Sequence, residues 1–155
     1  MFAGTALVCD ALPGKLVEAD GIRRRLHDRE GVKEVQFLWR DPERVLPVRE
    51  GGRLRLVTWG NRRGEGRGLP LGGWVRLEAV DGGLLQHLDP VAVDIPATRL
   101  LDRGIWYVVR AGVRGVLVRD AGGRERVYAV CVPASHYHRV MTRSDWMPLL
   151  LGERI

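Results

Sequence analysis

Alternation of apolar and polar residues dominates this chain and predicts a fold rich in β-strands. Residues 53–59, RLRLVTW, place Leu54 and Leu56 on one face of a predicted half-buried strand. Residues 45–49 precede them across a Glu-Gly-Gly turn, so the two segments predict a β-hairpin. The same reasoning predicts strands over residues 32–39, 74–80, 105–109, 113–120, 125–132 and 147–151.

Helical periodicity is limited to two short segments. Within residues 16–31, Ile22 and Leu26 share one face of a short predicted helix. Residues 134–141 predict a second helix, which Ser135 would cap. We therefore expect residues 1–155 to form a single β-rich α+β domain with mostly antiparallel strands and a few short helices.

Composition favours a cytoplasmic globular protein. The chain of 155 residues is 45% hydrophobic and 28% charged, which allows one domain with a real core. No apolar run is long enough to predict a membrane span, and no basic segment precedes the apolar N-terminal residues as in a secretory signal. The two cysteines, Cys9 and Cys131, lack metal-site spacing, and we interpret them as reduced thiols.

Net charge points to an anionic partner. The chain carries +6 at pH 7, and arginine supplies almost all of its positive charge because only two lysines occur. Arginine suits phosphate through its planar fork of donors and also stacks on bases. A nucleic-acid partner and an arginine-rich composition without functional meaning both remain open at this point.

Residues 60–73, GNRRGEGRGLPLGG, combine six glycines with three arginines: Arg62, Arg63 and Arg67. The segment has neither a Walker A pattern nor a helix after it as in a dinucleotide-binding fingerprint. It is either slack on the surface or wraps an anionic partner. Trp59 and Trp74 bracket it, and each could pack in the core or stack on the bases of a single strand.

Catalytic motifs are absent from the sequence. Neither GxSxG nor HExxH occurs, and Glu78, His136 and His138 are the only candidates for general acid and base work that we single out. The two histidines lie two positions apart in a predicted helix and so do not share a face. We expect no metal site and no cofactor.

Four pieces in order resemble the SOS-response-associated peptidase (SRAP) family: VLPVREGGRLRLVTWG, WVRLEAV, RGIWYVV and SDWMPLLL. The resemblance spans residues 45–151, and the chain is shorter than is usual for the family. The matching positions are Trp59, Gly60, Arg76, Glu78, Gly104, Asp145 and Pro148.

The resemblance implies a β-rich α+β domain with a basic channel for single-stranded DNA. Family members cross-link to abasic sites through an N-terminal cysteine, assisted by a glutamate and a histidine. Here Phe2 replaces the cysteine, Tyr107 the glutamate and Ser144 the histidine. Trp74 also replaces an asparagine that shapes the site, and Trp146 replaces an arginine. The covalent chemistry therefore lacks its nucleophile.

We expect a non-catalytic SRAP-like module that binds single-stranded or abasic DNA. Two alternatives stay open: a module that binds or inhibits an acidic protein, and an enzyme with a rebuilt site that uses Glu78 and a histidine. The expected DNA contacts are Trp59, Arg62, Arg63, Arg67, Trp74 and Arg76.

Overall fold

The computed structural model describes residues 2–12 and 20–152. Within them the strands are β1 Phe2–Val8, β2 Leu26–Arg29, β3 Val32–Leu38, β4 Val45–Glu50, β5 Arg53–Trp59, β6 Trp74–Arg76, β7 Val91–Pro96, β8 Arg99–Asp102, β9 Ile105–Val108, β10 Gly112–Arg119, β11 Glu125–Pro133 and β12 Trp146–Pro148. The helices are α1 Asp20–Arg23, α2 Leu77–Asp81 and α3 His136–Thr142, with 3-10 turns at Cys9–Ala11 and Gln86–Leu88.

Five strands close into a small barrel. They run in the order β10-β7-β4-β5-β11, and β11 pairs back with β10. The β5–β11 pair is parallel, whereas the β4–β5, β4–β7, β7–β10 and β10–β11 pairs are antiparallel. Beyond the barrel, β11 also pairs with β6 and β12 along its second half. Closure leaves the barrel strands without an open edge.

A second, five-stranded sheet in the order β2-β3-β1-β8-β9 is antiparallel throughout. Its inner face and the barrel share one apolar core. Phe37 and Leu100 of this sheet belong to the same buried cluster as Leu46, Ile95 and Val113 of the barrel. The burial of this cluster is the main favourable contribution to folding.

The hairpin and the final helix follow the local sequence signals. Strands β4 and β5 pair in register from Val45–Thr58 to Glu50–Arg53 around the Gly51-Gly52 turn. Helix α3 is capped as expected, because the Ser135 hydroxyl accepts a hydrogen bond of 3.1 Å from the His138 amide. The predicted strands at 32–39, 105–109, 113–120 and 125–132 are also confirmed.

Three expectations need correction. The helix predicted within residues 16–31 is confined to Asp20–Arg23, and Leu26 lies in the exposed strand β2; residues 16–19 lie outside the described ranges. The strand predicted at 74–80 changes to helix after Arg76. The strand predicted at 147–151 is instead Trp146–Pro148. Strand β1, which lies at the centre of its sheet, was not predicted.

The structure confirms a β-rich fold with mostly antiparallel strands and a few short helices. Both cysteines are free thiols; Cys131 is buried and Cys9 is partly exposed. No helix in the described part of the chain is long and apolar enough to cross a membrane.

Candidate nucleic-acid interface

Residues 60–73 form a closed loop with a fixed base rather than a slack segment. Asn61 and Gly72 exchange two backbone hydrogen bonds of 3.0 and 2.8 Å. Gly60 has a φ of 61°, and a Cβ there would lie 2.2 Å from the Gly72 carbonyl oxygen. Glycine is therefore required because the two ends of the loop approach each other closely. Gly60 therefore serves the closure of the loop itself.

Glu65 ties the loop to the barrel. Its carboxylate accepts two hydrogen bonds from Arg44, one of them 2.9 Å long, and a third of 3.3 Å from Arg126. Both arginines are nearly buried, with 4% and 7% exposure. Asn61 adds a bond of 3.1 Å from its side-chain amide to the Gly66 carbonyl. The loop has internal structure, and a carboxylate anchors it.

The electrostatics of Glu65 follow from these contacts. Hydrogen bonding from Arg44 lowers the pKa of Glu65 from 4.5 to about 2, and bonds from the Arg62 amide and Arg126 act in the same direction. The carboxylate therefore stays ionised at neutral pH and neutralises buried guanidinium charge. Arg44 and Arg126 therefore pair with a carboxylate of the same chain rather than with an outside partner.

The two tryptophans that bracket the loop pack on each other. The rings of Trp59 and Trp74 are 5.6 Å apart, and both contact Phe2 and Trp39. Trp59 is fully buried, and its indole N–H donates to the Gly73 carbonyl at 2.9 Å. It is not available to stack on a base, so Trp59 is a core residue and not a nucleic-acid contact. Trp74 is half-buried within the same cluster.

The loop arginines differ in environment. Arg62 is docked, because its guanidinium donates to the Trp39 carbonyl and lies 5.3 Å from the centre of the Trp39 ring. Arg63 and Arg67 are exposed, and neither guanidinium forms an ion pair or hydrogen bond with another described residue. Of the three loop positions predicted to contact phosphate, two present their charge to solvent.

Arg76 also presents its charge at the surface, beside an aromatic ring. It is exposed at the end of β6, and its guanidinium lies 4.1 Å from the centre of the Trp146 ring. Trp146 is half-buried in β12, which continues the sheet next to β11. A guanidinium stacked on an indole keeps its donors free for a phosphate.

A buried polar cluster lies where β8, α3 and β12 meet. Asp102 is fully buried and accepts a hydrogen bond of 2.8 Å from the Ser144 hydroxyl. Its second oxygen lies 3.3 Å from His138 Nε2. The Tyr107 ring stands edge-on to His138 at 5.7 Å between ring centres. Phe2 is paired in register with Asp102, so the start of β1 lies beside the cluster.

The three catalytic candidates differ in environment. His138 is 3% exposed and held by Asp102, whereas His136 and Glu78 are exposed on α3 and α2. No hydrogen bond or ion pair joins Glu78 to either histidine among the described contacts. Among residues 2–12 and 20–152, no group of histidine, cysteine or acidic side chains is arranged to hold a metal ion.

Helix α3 presents a basic aromatic surface that we did not predict. Tyr137 is 75% exposed and Val140 67% exposed, Arg139 is exposed two positions after Tyr137, and Arg143 is exposed at the C-cap of the helix. The signal was present in the sequence. His138 and Thr142, four positions apart, occupy the buried face, which leaves Tyr137 on the outer face. An exposed aromatic ring suits stacking with a base, and the exposed arginines in the later part of the same segment suit phosphate contacts.

Comparisons with protein-family models, with curated proteins and with solved structures found no match for this chain.

Proposed function

We propose that this chain is a non-catalytic SRAP-like module that binds single-stranded DNA, including DNA with abasic sites. The protein would contact phosphates through Arg139, Arg143 and Arg76 and through the loop residues Arg63 and Arg67. Trp59 and Arg62 have no place in this surface, because the first is buried and the second is docked on Trp39.

The exposed ring of Tyr137, on a helix that also presents Arg139 and ends at the exposed Arg143, carries the proposal. A tyrosine at 75% exposure gains little from packing within its own fold, so its apolar face is available to a partner. Every base offers a π-face on which an aromatic ring can stack, and guanidinium groups pair with the phosphates of a nucleic-acid backbone. Single strands expose their bases, whereas duplexes do not.

Geometry around Asp102 supports the SRAP-like part of the proposal. The resemblance matches Tyr107 and Ser144 to the family's catalytic glutamate and histidine, and both side chains lie at the cluster around His138 and Asp102. The register of β1 brings Phe2, at the position of the family's N-terminal nucleophile, to the same place. This convergence of positions far apart in sequence supports the proposal.

The same cluster supports a role without catalysis. Ser144 donates to Asp102 rather than to His138, so no imidazole withdraws the hydroxyl proton. A phenylalanine side chain at position 2 supplies neither a nucleophile nor a proton donor. The polar groups hold one another and fix α3 against β8, which positions the surface around Tyr137.

The test is fluorescence anisotropy with labelled single-stranded, duplex and abasic DNA over about 50–200 mM salt. We expect binding that weakens with salt and favours the single strand. The double variant R139A/R143A should lower the dependence of log affinity on log salt by about 1.4, since each lost phosphate contact removes about 0.7 for a single strand. R63A/R67A should act in the same way.

Two controls make the result specific. R49A/R53A removes two exposed arginines from the β4–β5 turn, at the opposite end of β11 from α3. It should leave affinity almost unchanged. Tyr137→Ala should weaken binding by about 1–3 kcal/mol without changing the salt dependence, because stacking releases no counterions. Absence of binding at low salt, or equal losses in all three arginine pairs, would contradict the proposal and favour the acidic-protein alternative.

A further inference from the structure

A cleft of about 320 Å³ lies between helix α2 and the outer face of the barrel. Its floor is Val116 of β10 and Val130 of β11, which are 3% and 2% exposed. Leu77 and Val80 of α2 form one wall, and Leu149 forms another. The walls are only partly buried, so the cleft is an apolar space open to solvent.

Strand alternation places one arginine in this apolar cleft. On β10, Val113 and Leu117 point into the main core, whereas Val116 and Val118 belong to the second apolar cluster under α2. Arg114 shares the face of Val116 and lines the cleft. Arg114 is half-buried as a residue, and a charged side chain that lines a mostly apolar cleft is usually paired.

Within the described residues, the Arg114 guanidinium forms no hydrogen bond or ion pair. Its backbone is held, because the amide donates to the Leu149 carbonyl at 2.8 Å. Asp94 is its neighbour in register on β7 but does not form an ion pair with it. Asp81 lines the cleft as well and adds negative charge to its border.

We propose that this cleft binds a small monocarboxylate with an apolar body. The carboxylate pairs with Arg114, whose guanidinium donates a hydrogen bond to each carboxylate oxygen, and the apolar body lies on Val116 and Val130. The volume falls at the lower end of ligand sites, about 300–1,000 Å³, which limits the ligand to roughly one ring or a short alkyl chain. Asp81 and Asp94 disfavour a second negative charge. This site is independent of the DNA surface proposed above.

The test uses hydrocinnamate, a phenyl ring on a two-carbon chain ending in a carboxylate, and hydrocinnamyl alcohol as its neutral counterpart. Amide chemical shifts of Gly115, Val116 and Leu149 in NMR spectra report on occupancy. We expect saturable binding of the acid with a dissociation constant of about 0.1–1 mM, as suits so few atoms. The alcohol should bind at least about ten-fold more weakly, because it lacks the charge-assisted bonds.

Variants assign the contribution of each group. Arg114→Gln should weaken acid binding at least about ten-fold and leave alcohol binding unchanged. The matched control is Arg119→Gln, which removes an exposed arginine from the same strand and should have no effect. Asp94→Asn should tighten acid binding several-fold, since a competing carboxylate is lost. A purely structural role for Asp94 would not produce tighter binding.

Ala92→Phe tests the cleft without changing its charge. Ala92 is exposed on β7 and lines the cleft, so a phenyl ring there should fill the space and abolish binding of both compounds. Equal binding of acid and alcohol would overturn the assignment of Arg114. Acid shifts that do not saturate, or that persist in Ala92→Phe, would overturn the site.

Discussion

Replacement of Glu65 by glutamine tests whether the loop is an anchored element or a mobile flap. The substitution keeps the shape of the side chain but removes the charge that neutralises Arg44 and Arg126. Arg126 retains Asp120 at 3.6 Å, whereas Arg44 has no other carboxylate partner among the described contacts. Arg44 would then be a buried cation without a counterion, which is costly.

The magnitude follows from the pKa of Glu65. Its shift from 4.5 to about 2 corresponds by linkage to about 3 kcal/mol of stability at neutral pH. Because 36% of the Glu65 side chain is exposed, solvent screening reduces this figure, and we expect Glu65→Gln to lose about 2 kcal/mol. Urea unfolding followed by circular dichroism measures the loss directly.

The direction of the pKa shift fixes how the stabilisation by Glu65 changes with pH. The folded pKa lies below the unfolded one, so the stabilisation is complete above about pH 4.5 and disappears as the pH falls towards 2. The difference between the native protein and Glu65→Gln should therefore shrink to less than about half near pH 3.

The matched control is Glu50→Gln, which removes the exposed partner of Arg55 at 3.3 Å. This pair is largely solvated, so the variant should lose less than about 1 kcal/mol. A loss in Glu65→Gln no larger than in the control, or one that does not change with pH, would refute the anchoring role of Glu65.

Three further substitutions probe packing and docking. Gly73→Ala should destabilise the fold by about 1–3 kcal/mol in urea, because the new Cβ would lie 2.5 Å from Trp59 Nε1. Ser144→Ala should lose about 1.5–3 kcal/mol by the same assay, since it removes a hydrogen bond of 2.8 Å to the buried carboxylate of Asp102. Arg62→Ala should reduce thermal stability yet leave DNA affinity nearly unchanged, because its guanidinium is already docked; a loss of affinity without a loss of stability would contradict this.

Local patterns determined much of the secondary structure of this protein. The hairpin of β4 and β5 is specified by alternation and a Gly-Gly turn, and the cap of α3 by Ser135, because both signals act over a few residues. Where local signals conflict, tertiary contacts decided: residues 77–81 alternate like a strand yet form α2, which packs on β11 and β6.

Composition also predicted a basic chain but not where its charges act. Arg44 and Arg126 are buried and paired with Glu65, whereas Arg63 and Arg67 face solvent. Likewise Asp102, His138 and Ser144 lie up to 42 positions apart in sequence, and the packing of α3 and the segment after it against the end of β8 brings them together. Whether a polar side chain faces solvent, a ligand or a buried partner depends on long-range contacts, and one-dimensional periodicity carries no information on those.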